Sequence, residues 1–457
     1  MITILLAIAG ILYLALQLED KLKVPSPLGL IAISFIFYAL LGQEFILTED
    51  AEHFAKLVLF LLPVLLIADS MEVSVEDLKE HGLSLFALAV VAVALSVVAA
   101  ILVGNTLFSE YNLSTAAIIV LFAMVLATDP VSVVSIFSKF ELPHRLKILC
   151  EGESLFNDAT ALIVFVFIGL YALEGGEITF SYVAQISAIV VLGSAALGVV
   201  FGYIGLFAMK TTTNRTAEMM ILLIVGYGSF EIAEHFYTLL NLFGMHSHIH
   251  LSGILTCIFA TITVNHIMMQ AVDEDENRIE QVEHVLQGKP TSNRVISAAV
   301  DKIKMSVEER DRHLRTKEDV QLLALVANTM LFVAMAEIID ISLLWHYKTE
   351  ILVMFLATTV IRGLMMAKFA FITHQTDKMT NISFRWWGIL TFAGIKGGLS
   401  IVMLMMIPAS FEHLEMFKAV VIGVVLLSTF IYSAILIAII SKNQPIFSKE
   451  KAEEGHH

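Results

Sequence analysis

The sequence is short of charge. Of its 457 residues only 16% are Asp, Glu, Lys or Arg, while 58% are hydrophobic. A soluble domain of this length carries far more charge. Cysteine is nearly absent. Cys150 and Cys257 both lie within or beside apolar segments, which excludes a disulfide framework or a thiol metal pair. The one large polar stretch, 270–318, contains no Gly-rich phosphate loop, and the chain has no basic stripe that would suit nucleic acid. Strand-like alternation and β-turn signals are sparse, which argues against a barrel. No short-period repeat is visible. The net charge of −15 is scattered over many loops and says little about partners.

What the chain has in abundance is long apolar runs. Runs of about 18 or more residues recur along its length, each long enough to cross a bilayer as a helix. The pattern predicts an all-α polytopic membrane protein of about thirteen spans. The first six are roughly 2–18, 26–42, 53–70, 83–108, 113–138 and 146–173. The others are roughly 179–209, 217–237, 251–269, 319–340, 349–370, 385–407 and 416–440. The first run lacks a basic leader and a small-residue cleavage site, so it reads as a mature span and not as a signal peptide. The final Glu-Glu-Gly-His-His resembles a purification-tag remnant.

Lys and Arg set the expected orientation. Alternate loops hold Lys21 and Lys23, Lys79, then Lys139, Arg145 and Lys147, then Lys210 and Arg215, the 270–318 segment, Lys378 and Arg385, and the 441–457 tail. In the other set Lys348 is the clear exception. The first set is therefore read as cytoplasmic, with the C-terminus inside and, for an odd span count, the N-terminus outside. The 270–318 segment is rich in both signs. It reads as a solvated connector of one or two helices, or as a regulatory segment.

Two spans carry helix-breaking signals. The fifth contains Thr128-Asp129-Pro130, and the twelfth contains Gly394-Ile395-Lys396-Gly397-Gly398. Pro and clustered Gly at membrane depth mark unwound helices. If spans 1–6 and 8–13 are two halves joined by span 7, both breaks fall in the fifth helix of a half, and the halves have inverted topology. Paired broken helices in matching positions point to a transporter's binding site.

Five ionisable residues stand out inside spans and away from their edges: Asp129, Glu153, Asp158, Arg362 and Lys396. Each costs roughly 2.5–3.5 kcal/mol on insertion scales, so each needs a reason. On the sixth span Glu153 and Asn157, and likewise Ser154 and Asp158, are four residues apart and share one helix face. That face must look at protein or water. Pro130 pushes Asp129 out of helical geometry and frees carbonyls nearby. Freed carbonyls, the Thr128 hydroxyl and the carboxylates make an all-oxygen environment that suits a hard cation such as Na⁺. An arginine at the depth of Arg362 needs a partner. Glu153 is the candidate, which leaves Asp158 as the titratable carboxylate. Lys396, central in its span, would neutralise the negative ends of two half-helices.

Taken together, ATDPVSVVSIF, GESLFNDATALIVF, Arg362 and FAGIKGGLSIVM resemble the monovalent cation/proton antiporters of the NhaP/NHE branch, with weaker support from SGILTCIF. The resemblance implies a thirteen-helix inverted-repeat fold with crossed broken helices, working as a homodimer by an elevator-like movement. It implies that Asp158 exchanges H⁺ and cation, and that Thr128, Asp129, Glu153 and Ser154 help to hold the ion. It implies that Arg362 pairs with the glutamate. Asn157 stands where electrogenic relatives carry a second Asp, which implies one Na⁺ (or Li⁺) for one H⁺. Lys396 departs from the arginine that the family often has there.

The expected mechanism is competition. A buried carboxylate holds its proton tightly and a bound cation displaces it, so H⁺ and Na⁺ exclude each other at Asp158. No cofactor is expected. K⁺/H⁺ exchange is the alternative within transport, since oxygen ligands alone do not choose between Na⁺ and K⁺. A cation channel or uniporter is the more distant one. A membrane-embedded protease would need a base beside Ser154, and its helix has no suitably placed histidine. His246, His248 and His250 form a His-x-His-x-His run on an outer loop, read as solvated or as metal-binding.

Overall fold

In the computed structural model, residues 2–22, 26–41, 51–242, 250–286, 293–375 and 379–454 are described, and among them there are helices and no strands. The helices α1 (Ile2–Leu22), α2 (Ser26–Leu41), α3 (Ala51–Ser70) and α4 (Val75–Leu107) come first. They are followed by α5 (Thr115–Leu126), α6 (Pro130–Phe137), α7 (His144–Leu173), α8 (Phe180–Met209), α9 (Arg215–Glu234) and α10 (Phe236–Leu242). The remainder are α11 (Gly253–Leu286), α12 (Asn293–Glu337), α13 (Ile341–His346), α14 (Lys348–Thr373), α15 (Phe384–Phe392), α16 (Gly398–Met405) and α17 (Leu414–Glu454).

Nine helices among the described residues are long and apolar enough to cross a membrane, with shorter apolar helices at Leu28–Leu40 and Gly253–Met269. α15 and α16, of 9 and 8 residues, are each too short to be counted alone. Local signals set the starts. Ser114, Asn214, Asp340 and Ser383 are N-caps whose side chains accept from backbone amides of α5, α9, α13 and α15.

The chain divides into two compact units. The first comprises Met1–Leu62, Glu76–Ser187 and Val326–His457, and the second Pro63–Val75 and Ala188–Leu325.

In the first unit, α5 is buried on every side from Ala117 to Leu126, as expected of an all-apolar helix at the centre of a bundle. α5 and α6 are the two pieces of the fifth predicted span, and α15 and α16 the two pieces of the twelfth. The chain is non-helical between each pair, at Ala127–Asp129 and Gly394–Gly397. Three helices contain a π-turn, at Ala87–Val91 in α4, Val164–Leu170 in α7 and Ser428–Tyr432 in α17. Such turns release backbone groups and recur at functional sites. The end of α17 is tied to other elements of this unit. Ser448 Oγ donates to Glu141 Oε2 at 3.0 Å, and Trp386 Nε1 donates to Glu450 Oε2 at 3.0 Å.

In the second unit, α8 packs on α11 through glycines. A Cβ at Gly198 would come within 2.6 Å of the Thr256 carbonyl, so only glycine permits this approach. α9, α11 and α12 also share a buried polar cluster. Glu218 Oε2 accepts from Arg312 Nε at 2.7 Å, and Glu218 Oε1 lies 2.8 Å from His313 Nδ1. His313 Nε2 is 3.1 Å from Asn265 Oδ1, and Asn265 Nδ2 donates to the Met71 carbonyl at 3.2 Å.

In the 270–318 segment, read as a solvated connector, most of the described side chains at 308–318 are exposed or half-buried. The segment is helical on both arms, as expected, but His313 and Thr316 are 2% and 0% exposed. Tertiary docking of α12 buries residues that a charged run would leave in water. The eighth span also differs, ending at Glu234 with α10 starting anew at Phe236. His246, His248 and Lys378 lie outside the described residues.

Candidate ion-exchange site

The two helix breaks of the first unit meet. The Asp129 amide donates to the Ile395 carbonyl at 2.7 Å, so a group freed in one break satisfies a group freed in the other. The approach is close enough to require glycine. A Cβ at Gly397 would lie 2.6 Å from Asp129 Cβ, and one at Gly394 would collide with the Arg362 guanidinium.

Each break leaves a helix C-terminus with unpaired carbonyls and negative dipole charge. A buried cation answers each one. Lys396 Nζ donates to the Leu126 carbonyl, the last of α5, at 3.3 Å. Arg362, on α14, donates from Nε to the Leu390 and Thr391 carbonyls at 3.2 and 3.1 Å, near the end of α15. The same guanidinium forks onto Glu153, Nη1 to Oε1 at 2.9 Å and Nη2 to Oε2 at 2.7 Å.

α7 supplies the polar face read from its four-residue spacing. Glu153, Ser154 and Asn157 are each 1% exposed, and Asp158 is 7% exposed. Thr128, in the first break, is where three of these side chains converge. Its amide donates to Asp158 Oδ1 at 2.8 Å. Its hydroxyl oxygen accepts from Ser154 Oγ at 2.8 Å and from Asn157 Nδ2 at 3.0 Å. Asn157 Nδ2 also reaches the Leu126 carbonyl at 2.9 Å, the acceptor that Lys396 uses. Its Oδ1 is buried with no hydrogen-bond partner among the described residues. A cavity of about 20 Å³, room for about one water, is lined by Glu153, Asn157, Arg362 and Lys396 with Ser96 and Leu126.

All eight sequence candidates therefore stand at one crossing, but not in one role. The resemblance implies that Asp129 and Glu153 help to hold the ion, and the residues themselves pair Glu153 with Arg362. In the structure Asp129 caps α6, with Oδ1 accepting from the Val131 amide at 3.2 Å and Oδ2 accepting from the Ser132 hydroxyl. Both oxygens of Glu153 accept from Arg362. The side-chain oxygens that gather around the first break are those of Thr128, Ser154 and Asp158.

Two residues were missed. Ser132 is legible in hindsight, because Asp-Pro-x-Ser places a hydroxyl three residues after an N-cap carboxylate. Ser428, which accepts from the Lys396 amide at 3.0 Å, sits in an apolar run and carries no such signal. Among the described residues no group of three or more His, Cys, Asp or Glu side chains is placed to hold a metal ion.

The family model described as sodium/hydrogen exchanger, transmembrane, matches residues 4–287. Among relatives, the chain is similar to the Na(+)/H(+) antiporter NhaH of Halobacillus dabanensis, at 27% identity over 235 residues, which is 49% of this chain and 57% of that protein. It is similar to the Na(+)/H(+) antiporter ApNhaP of Aphanothece halophytica, at 25% identity over 385 residues, 83% of this chain and 63% of the relative. The matches thus span less than two thirds of those relatives' own length. The structure resembles that of the sodium proton antiporter MjNhaP1 from Methanocaldococcus jannaschii, with a TM-score of 0.66 at 15% identity, over 98% of this chain and 97% of the other. At that identity the likeness concerns the fold.

Proposed function

The chain belongs to the transmembrane sodium/hydrogen exchanger family, and from that premise we propose that it exchanges Na⁺, or Li⁺, for H⁺ across a membrane. The observation that carries the reading is the crossing. Two broken helices touch through Asp129 and Ile395, both exposed C-termini are met by buried cations, and one carboxylate, Asp158, is held against the break by the Thr128 amide. Such an arrangement compensates the helix ends and Glu153 and sets Asp158 beside them, with Oδ1 on the Thr128 amide.

Asp158 takes either H⁺ or Na⁺, and the two exclude each other. The Thr128 and Ser154 hydroxyl oxygens complete the cation's shell. The Ser154 oxygen keeps its acceptor lone pairs while it donates to Thr128, whereas the Thr128 oxygen accepts from both Ser154 and Asn157, so one of those donors turns away when the cation arrives. Asp129 and Glu153, committed to α6 and to Arg362, set the local potential at one remove. Asn157 is neutral in both states, which makes the exchange one cation for one proton with no net charge moved. An empty, charged Asp158 would be costly to carry through an apolar barrier, so the site crosses loaded.

Spans 1–6 and 8–13, as inverted repeats around span 7, supply alternating access. The bias in Lys and Arg supports an N-terminus outside and a cytoplasmic C-terminus in a plasma or inner membrane. The homodimer rests on the resemblance alone.

A pH gradient across proteoliposomes, with no membrane potential applied, tests the reading. Gradient-driven Na⁺ uptake, with a rate unchanged when a potential is clamped, is the expected result. Uptake that follows the potential and ignores the pH gradient would point to a channel or uniporter instead.

A further inference from the structure

Once the second break opens, the amide of Lys396 has no helical acceptor. Buried donors of this kind are satisfied by some other group or cost stability. Here the acceptor is the Ser428 hydroxyl at 3.0 Å, whose own proton goes to the Val425 carbonyl at 2.9 Å. Ser428 is fully buried and opens the π-turn Ser428–Tyr432 of α17. It belongs to neither broken helix. One residue earlier in the break, the Ile395 carbonyl is held by the Asp129 amide of the first break. The second break is therefore pinned from two sides, by a backbone amide of the first break and by a side chain of the last helix.

We propose that Ser428 is a positioning residue for the exchange reaction. It fixes the Lys396 peptide, and through it the Lys396 ammonium on the Leu126 carbonyl, where Asn157 also bonds. It does not touch the oxygens assigned to the cation. Its loss therefore acts on turnover, with a much smaller effect on the half-saturating Na⁺ concentration. The π-turn supplies the geometry. A wide turn shifts the register of α17 and carries the hydroxyl to the break, while Thr429, next in the chain, bonds back to the Val425 carbonyl at 2.8 Å.

The inference rests on the exchange reading above, and the test separates the two. Wild type, Ser428→Ala and Ser428→Thr are compared in proteoliposomes per folded protein, with hydrogen exchange followed in the peptide covering residues 393–398. Serine to alanine should lower maximal turnover roughly tenfold, the effect of orphaning one buried donor, and should speed exchange at the break. Threonine, which keeps the hydroxyl, should restore most of both. Full turnover in folded Ser428→Ala, or unchanged exchange at 393–398, would overturn the assignment. So would folded Ser428→Thr that is as slow as the alanine variant. A wild-type protein with no pH-driven Na⁺ exchange would overturn the functional reading instead, whatever Ser428 does to the break.

Discussion

Among the described residues each compact unit has a buried glutamate paired with an arginine, Glu218 with Arg312 and Glu153 with Arg362, and their surroundings differ. Glu218 and Arg312 meet where α9, α11 and α12 pass one another as unbroken helices, and His313 and Asn265 complete the cluster. Glu153 and Arg362 meet where two helices are broken. There the same guanidinium also holds the end of α15, and a second carboxylate, Asp158, stands one turn along α7. A buried ion pair is thus poor evidence of transport. What marks the second cluster is unwound backbone, two neutralised helix ends and a further carboxylate beside them.

The comparison can be broken at several points. The largest effect is expected from Asp158→Asn. It should abolish Na⁺-dependent proton movement in proteoliposomes while the protein still purifies as a folded species. Glu153→Gln comes next. It leaves Arg362 buried beside a neutral partner, which costs roughly 3–5 kcal/mol. A large drop in melting temperature together with slowed exchange is expected.

Glu218→Gln sharpens the contrast. It strands Arg312 in the same way, but Arg312 is partly exposed, so the expected loss is smaller, about 1–3 kcal/mol. Exchange per folded molecule should be unchanged. Equal losses of turnover in the Glu153 and Glu218 variants would remove the distinction between the clusters. The smallest effect is expected from Ser132→Ala, which deletes one bond to the α6 cap and should cost about 1 kcal/mol by thermal melting.

Much of the cluster around Glu153 and Arg362 was legible in the sequence, for identifiable reasons. Pro130 and the glycines at 394, 397 and 398 are backbone constraints written as residue types, so the breaks could be placed. Four-residue spacing fixed the face of α7, and a lone arginine in an apolar span demanded the carboxylate it has. The grip of Arg362 on Leu390 and Thr391 could not be read, because backbone carbonyls leave no mark in the sequence.

Glu218 and His313 were hidden for a different reason. Glu218 stands at the start of an apolar span and His313 in a charged run, and neither stretch shows that the two meet across α9 and α12. Asp129 was legible only in part. A carboxylate at a break suits an ion as well as a helix cap, and the structure adds the cap, with the amide of Val131 and the hydroxyl of Ser132 as donors.

The central claim is that one carboxylate serves both ions in turn. The most direct measurement is the half-saturating Na⁺ concentration of wild-type exchange as a function of pH, with pH equal on both sides and tracer Na⁺ as the readout. Competition at Asp158 predicts that this concentration rises on acidification, approaching about tenfold per pH unit, while the maximal rate at saturating Na⁺ holds. A half-saturating concentration that stays constant across the series, with only the maximal rate falling, would place the proton at a separate group and contradict the account.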